Sequence, residues 1–253
     1  MFSSGMSPFS PLVFSVLASS LGLPAAILLI SWLGTLWNAH IQLNTSMLFA
    51  IGFVSLFMAG GISGIFLARH DLAAAAVSYD FVTGHFHLVM GVAATFAMLG
   101  ALFFWFPKLF GRRLNEMLGK IHFWLTFTGA YLVFMPMHWL GLFSHANIYS
   151  GSRAAVTDAI VGPVHTFITV AAILMVFAQG IFLINFLWSL FRGEKVDERN
   201  PWRATTLEWG LARVTAPALR RIARWAARDL VAVSGRRDAR HLGMVAAGHP
   251  APG

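Results

Sequence analysis

The chain has 253 residues, of which 57% are hydrophobic and only 11% charged, against about a quarter charged in soluble domains. That balance excludes an ordinary soluble enzyme. The absence of cysteine excludes disulfides, iron–sulfur clusters and thiolate zinc sites, so any metal must be held by imidazole, carboxylate or carbonyl groups. The net charge of +8 is uneven: residues 1–191 carry six Lys or Arg and four Asp or Glu, whereas 192–253 carry twelve and six.

The fold class that follows is an all-α integral membrane protein, organised as a transmembrane helical domain over 1–191 and a basic tail over 192–253. Five apolar windows reach the length of about 20 residues that a bilayer requires. After a turn-like lead-in ending at Pro8, the first runs from Leu12 to Trp37 with Pro24 inside it. No basic leader or small-residue cleavage site precedes it, so no secretory signal is predicted. The second runs from Ser46 to Ala68, with Gly60, Gly61 and Gly64 as small residues suited to close helix contact. Val77 to Phe106 is the third, with Gly91 and Gly100 in the same role. Met117 to Leu142 and Ala159 to Leu190 complete the set. With five spans, Lys108, Arg112 and Arg113 share one side with the basic tail, and the positive-inside rule makes that side cytoplasmic. Residue 1, Arg69 and Arg153 then face outward, and the tail's Arg220, Arg221, Arg224 and Arg228 predict an amphipathic helix on anionic headgroups or a plain solvated face, in preference to nucleic-acid binding.

The third span carries the chemistry. Gly84-His85-Phe86-His87-Leu88 stands within it, and ionisable side chains at membrane depth mark a functional site by default. Successive α-helical residues turn by about 100°, so positions i and i+2 point roughly 200° apart with a rise of only about 3 Å. Two such imidazoles cannot chelate one ion, but each can hold its own metal centre on opposite sides of the helix, as a proximal histidine holds haem iron. The competing reading is a pair of buried histidines bonded to neighbouring carbonyls. His122 and His138 in the fourth span are expected to bond helix backbones or line a polar cavity. Tyr79, Asp80 and Thr83 are expected to cap the third span. His165 and Asn185 carry no predicted role.

In order and spacing, these motifs resemble subunit I of the haem–copper oxidases. The carriers are Met1-Phe2 with Gly5-Met6, Ser31-Trp32-Leu33 with Thr35-Leu36, Met47-Leu48, and Gly60-Gly61 with Gly64. They continue through His85-Phe86-His87, Trp105-Phe106-Pro107, Lys120-Ile121-His122-Phe123, Pro136, and His138 with Leu140-Gly141-Leu142. Asn200-Pro201-Trp202 and Ala204 to Trp209 look like the segment after the family's last helix. The resemblance covers only the second part of the family's twelve-helix subunit. It implies that the copper ligands, the cross-linked tyrosine and the second axial ligand of the low-spin haem lie upstream, with no copper ligand in this chain. It also implies that His85 is the axial ligand of a high-spin haem and His87 of a low-spin haem, with Phe86 between the two groups. The function implied is electron transfer from the low-spin haem to a haem–copper centre that reduces O2 to water, with proton pumping as a possible accompaniment. Implied partners are the amino-terminal half of subunit I, an electron-entry subunit II, cytochrome c or quinol as donor, and the lipid bilayer, in a bacterial-type inner membrane.

Four features of that pattern are missing. Leu28 replaces a lysine and Ala25 a threonine of a proton-uptake path, which apolar side chains cannot hydrate. Val77 and Ser78 replace a His-Asp pair that holds magnesium, with His70, Asp71 and Asp80 nearby but out of register. Asn147-Ile148 replaces an Arg-Arg pair that neutralises haem propionates, a role left to His145 or Arg153. The alternatives are a nitric oxide reductase of the same superfamily and a truncated, non-catalytic membrane fragment.

Overall fold

The computed structural model describes residues 9–69, 79–149, 155–198 and 200–210, leaving aside the side chains of 143–158 and 210. The tail beyond 210, residues 70–78, and the side chains of His145, Asn147, Ile148 and Arg153 lie outside the described part. Two compact units are distinguished, Met1–Val196 and Asp197–Gly253. The elements are α1 (Phe9–Ser20), α2 (Gly22–Leu36), α3 (Thr45–Ala68), α4 (Tyr79–Phe86), a π-helical segment (His87–Val92), α5 (Ala93–Phe110), α6 (Glu116–Tyr149), α7 (Ala155–Arg192) and the short α8 (Leu207–Gly210). Among the described residues there is no strand, only one antiparallel bridge between Arg112 and Lys195.

Among the described residues, four helical stretches are long and apolar enough to cross a bilayer: Phe9–Leu36, Thr45–Ala68, Tyr79–Phe110 and Ala159–Arg192. The predicted fourth window forms a helix of 34 residues but falls outside this set, so the expected count of five is not reproduced. Its polar side chains are the cause. His122, Thr126 and His138 are 0%, 4% and 8% exposed, so α6 turns them toward its neighbours while they lower its mean hydropathy. The all-α membrane class holds.

Local chemistry explains the breaks. Pro24 has no N–H to give Ser20 and its ring crowds that carbonyl, so the first window divides at Leu21, whose N–H bonds Ala18 O in a tighter turn at 3.3 Å. Asn44 caps α3 by accepting from Met47 N at 2.9 Å. α5 stops at Gly111, which takes φ 68°, a conformation glycine adopts without a Cβ penalty. The third span is not uniformly α-helical: Ala93 N bonds Leu88 O, an i to i−5 bond, within the π segment that begins at His87. Such a widened turn inserts one extra residue and is frequent at functional sites.

An aromatic core joins α3, α5 and α6. Phe49 meets Phe96 edge-on at 5.1 Å, Phe123 edge-on at 5.2 Å and Phe103 in a stacked pair at 5.8 Å, arrangements that suit the ring quadrupoles. Trp32 brings α2 onto α3 through Phe53 and Phe57. Gly60 and Gly100 permit the close helix approaches expected of them, against Leu88 and Val89 and against Ser46 and Phe49; Gly61 faces open space.

Buried hydrogen bonds fasten one end of the bundle. Glu116 Oε2 accepts from Thr45 N at 2.9 Å and from Thr45 Oγ1 at 2.7 Å. Asn185, for which the sequence suggested no role, pairs with the backbone of Asn115 in both directions, each at 2.9 Å. Arg112 Nη1 donates to Gly193 O at 2.6 Å, Arg113 N to Glu194 O and Val196 N to Gly111 O. The basic connection after α5 and the end of α7 are therefore at the same end.

Candidate functional site

α4 lies between α3 and α6, and His85 in its last turn and His87 at the start of the π segment face one helix each. His85 points at α3. Its Nδ1 lies 2.9 Å from Gly60 O and 3.1 Å from Ser63 Oγ, and Ser63 Oγ donates to the same carbonyl at 2.7 Å. Gly64 makes room for this ring: a Cβ there would stand 2.9 Å from His85 Cε1. His87 points toward α6. Its Nδ1 lies 2.8 Å from Thr83 O one turn earlier, and its ring stacks on Phe134 at 5.1 Å with planes 14° apart. Phe86 borders it at 4.1 Å and is itself 43% exposed.

The bonding pattern assigns the protons. A carbonyl can only accept, so both rings carry hydrogen on Nδ1, and Nε2 is the nitrogen left without a partner among the described residues. This is the arrangement in which an imidazole ligates a metal: held by a donated N–H at one nitrogen and available at the other. The competing reading saw carbonyl bonding as an alternative to ligation, but bonding through one nitrogen only is compatible with both. The residues present thus fit axial ligation of haem iron. Gly91 adds to the cradle, since a Cβ there would lie 3.5 Å from His87 Cδ2.

The other histidines differ. His138 donates from Nδ1 to Phe134 O at 2.6 Å and its Nε2 is sealed within the protein without a partner. His122 bonds Gln179 Oε1 at 3.0 Å; Gln179 in turn donates to Thr126 Oγ1 and Met175 O. His138 thus bonds helix backbone as expected, whereas His122 pairs with a side chain of α7. Of the residues expected to cap this span, Thr83 Oγ1 is buried without a partner and Asp80 Oδ2 approaches His165 Nε2 at 4.0 Å; the junction before Tyr79 lies outside the described residues. Leu28 is 48% exposed on α2. Among the described residues no three His, Asp or Glu side chains gather to hold a metal ion. An apolar groove of about 580 Å³ opens between α6 and α7 at Pro136 and Pro163, away from both open imidazoles.

The sequence reading missed the supports of the two rings: Gly60 and Ser63 for His85, Thr83 O and Phe134 for His87. The small residue at Gly60 was noticed for packing, but a backbone carbonyl leaves no signal in side-chain pattern.

Fold and site together define a helical membrane protein that presents two open imidazoles on opposite faces of one span. The family described as cytochrome c and quinol oxidase polypeptide I matches residues 1–174. An alternative cytochrome c oxidase subunit 1 of Bradyrhizobium diazoefficiens is 46% identical over 210 residues, covering 83% of this chain and 35% of that protein. Cytochrome c oxidase subunit 1 of Synechocystis sp. is 43% identical over 212 residues, covering 84% and 37%. A cryo-EM structure of a heme-copper terminal oxidase dimer aligns with TM-score 0.62 at 16% identity, over 88% of this chain and 44% of that one, a likeness of fold. The chain belongs to the cytochrome c and quinol oxidase polypeptide I family and spans about a third of the length of these curated relatives.

Proposed function

We propose that this chain is the carboxyl-terminal part of the catalytic subunit of a respiratory haem–copper oxidase, with His85 as axial ligand of a high-spin haem and His87 of a low-spin haem. The observation that carries this reading is the matched pair of imidazoles in the third span, each donating Nδ1–H to a carbonyl with Nε2 unpartnered among the described residues, His85 facing α3 and His87 facing α6. When bound, haem supplies the one-electron chemistry on the His87 side and the gas-binding iron on the His85 side.

The protein's contribution is to fix and tune the ligands. Gly60 O accepts the Nδ1 proton of His85, which sets the tautomer and raises the basicity of Nε2. Thr83 O does the same for His87. Phe81, Leu88 and Phe134 are 2%, 0% and 6% exposed, and they keep water from the backbone between and around the rings. Copper, its ligands and the second low-spin axial ligand belong to the amino-terminal half of subunit I. An electron-entry subunit II and cytochrome c or quinol complete the complex in a bacterial inner membrane, with the basic tail cytoplasmic. The names of the relatives support O2 as the substrate over NO.

The test is a reduced-minus-oxidised spectrum of the chain produced with and without the upstream half. The assembled complex is expected to contain both haems, His87→Ala to lose the low-spin band and His85→Ala to lose the CO-reactive band. Retention of both bands in both variants would overturn the assignment. Failure to bind haem with the upstream half present would favour a non-catalytic fragment. Turnover on O2 and on NO then separates an oxidase from a nitric oxide reductase.

A further inference from the structure

His85 and His87 are oriented by different means. His85 is bonded across to another helix, through Gly60 O of α3. The hydrogen bond of His87 reaches only Thr83 O, on its own helix. A single bond at Nδ1 locates one edge of the ring and leaves its plane able to turn about that edge. What restrains the plane is contact with flat faces. Phe134 lies nearly parallel to it, 14° off at 5.1 Å, while Phe86 is tilted by 39° and exposed.

Phe134 is in turn anchored. Its side chain is 6% exposed, and its carbonyl accepts from His138 Nδ1 at 2.6 Å. The His138 ring packs on the α4 backbone at Gly84, where a Cβ would meet Cε1 and Nδ1 at 2.8 Å, and meets Phe81 edge-on at 4.9 Å. α6 is therefore held against α4 both at Phe134 and one turn further on, so the face that it offers to His87 is a rigid one.

We infer that Phe134 is a positioning residue that sets the ring plane of His87 and, through it, the electronic state of an iron held at Nε2; the inference rests on the assignment of His87 as a low-spin ligand. The plane of an axial imidazole decides which iron d orbital its π electrons raise. A pinned ring gives one narrow set of g values, and a ring free to turn gives a shifted and broadened set.

The experiment is electron paramagnetic resonance of the oxidised low-spin haem in the whole assembled complex, with haem content measured in parallel. Phe134→Leu keeps an apolar side chain and removes the flat face. Its expected result is an unchanged haem content with the largest g value displaced by more than the parental line width and broadened. Phe134→Tyr keeps the ring and is expected to return the parental signal. Phe127→Leu, which removes a ring stacked on Phe123 on the same helix, is expected to leave the signal unmoved. Parental g values in Phe134→Leu at full haem content, with the signal lost in His87→Ala, overturn the inference and leave the ligand assignment standing. A low-spin signal that survives His87→Ala overturns both. If the leucine variant does not assemble, Phe134→Met carries the same comparison, and parental g values there also overturn it.

Discussion

Individual atoms make the difference between the four intramembrane histidines that matter here. All four have one ring nitrogen bonded, yet only His85 and His87 keep the other open. His138 and His122 seal theirs among apolar neighbours, at the cost of an unsatisfied acceptor that persists only because the surrounding packing leaves no alternative. Gly64 is the closest-packed glycine against His85. In Gly64→Ala the new Cβ would sit 2.9 Å from His85 Cε1, and displacing that ring carries an overpacking cost of about 1–3 kcal/mol. The expected outcome is loss of most of the CO-difference signal with the low-spin band retained, measured by optical spectroscopy on the intact complex. Equal loss of both bands would place the effect in folding, away from His85.

Helix pairing is where the buried polar side chains act. Gln179 links α7 to α6 through both His122 and Thr126. Gln179→Leu would leave the second ring nitrogen of His122 unpaired beside one that already is, and we expect a loss of about 1–2 kcal/mol in resistance to denaturant titrated in detergent. An unchanged midpoint would mean that a rearranged contact replaces the bond. The π segment makes a sharper prediction. Deleting Met90, which is 73% exposed, would restore α-helical register between α4 and α5 and turn one against the other by about 100°. Helical circular dichroism should be preserved while both haem bands disappear. Retained bands would show that the widened turn does not orient the histidines.

Across the whole molecule, α1 and α2 bury almost nothing. Ser15 is the one buried residue of α1 and α2 has none, although Trp32 touches α3. A span of that hydropathy is comfortable in lipid, and the function proposed above supplies the upstream half of the subunit as a neighbour to test against it. Production with the upstream half is expected to protect this segment from limited proteolysis in detergent, and equal cleavage with and without that half would argue against contact. Arg112, Gly193 and Val196 close the opposite connection, which keeps the ends of α5 and α7 together independently of any partner.

Local pattern was enough to find four of the five expected spans within a few residues and to turn His85 and His87 toward different helices, because both follow from apolar run length and from the angle between positions i and i+2. The family resemblance was legible for the same reason: it rests on short motifs in fixed order. The split at Leu21 was visible only as Pro24, and the approach of Asp80 to His165 was not legible because the two stand on different helices far apart in the chain. By itself, then, the sequence determined membrane residence, helix order and which side chains are available to bind. Only the tertiary structure decided that Gly60 O and Thr83 O hold the rings, that Phe134 faces His87, and that the third span widens at His87. Those contacts join residues far apart in the chain or depend on backbone carbonyls, which every residue carries alike and no spacing of side chains reveals.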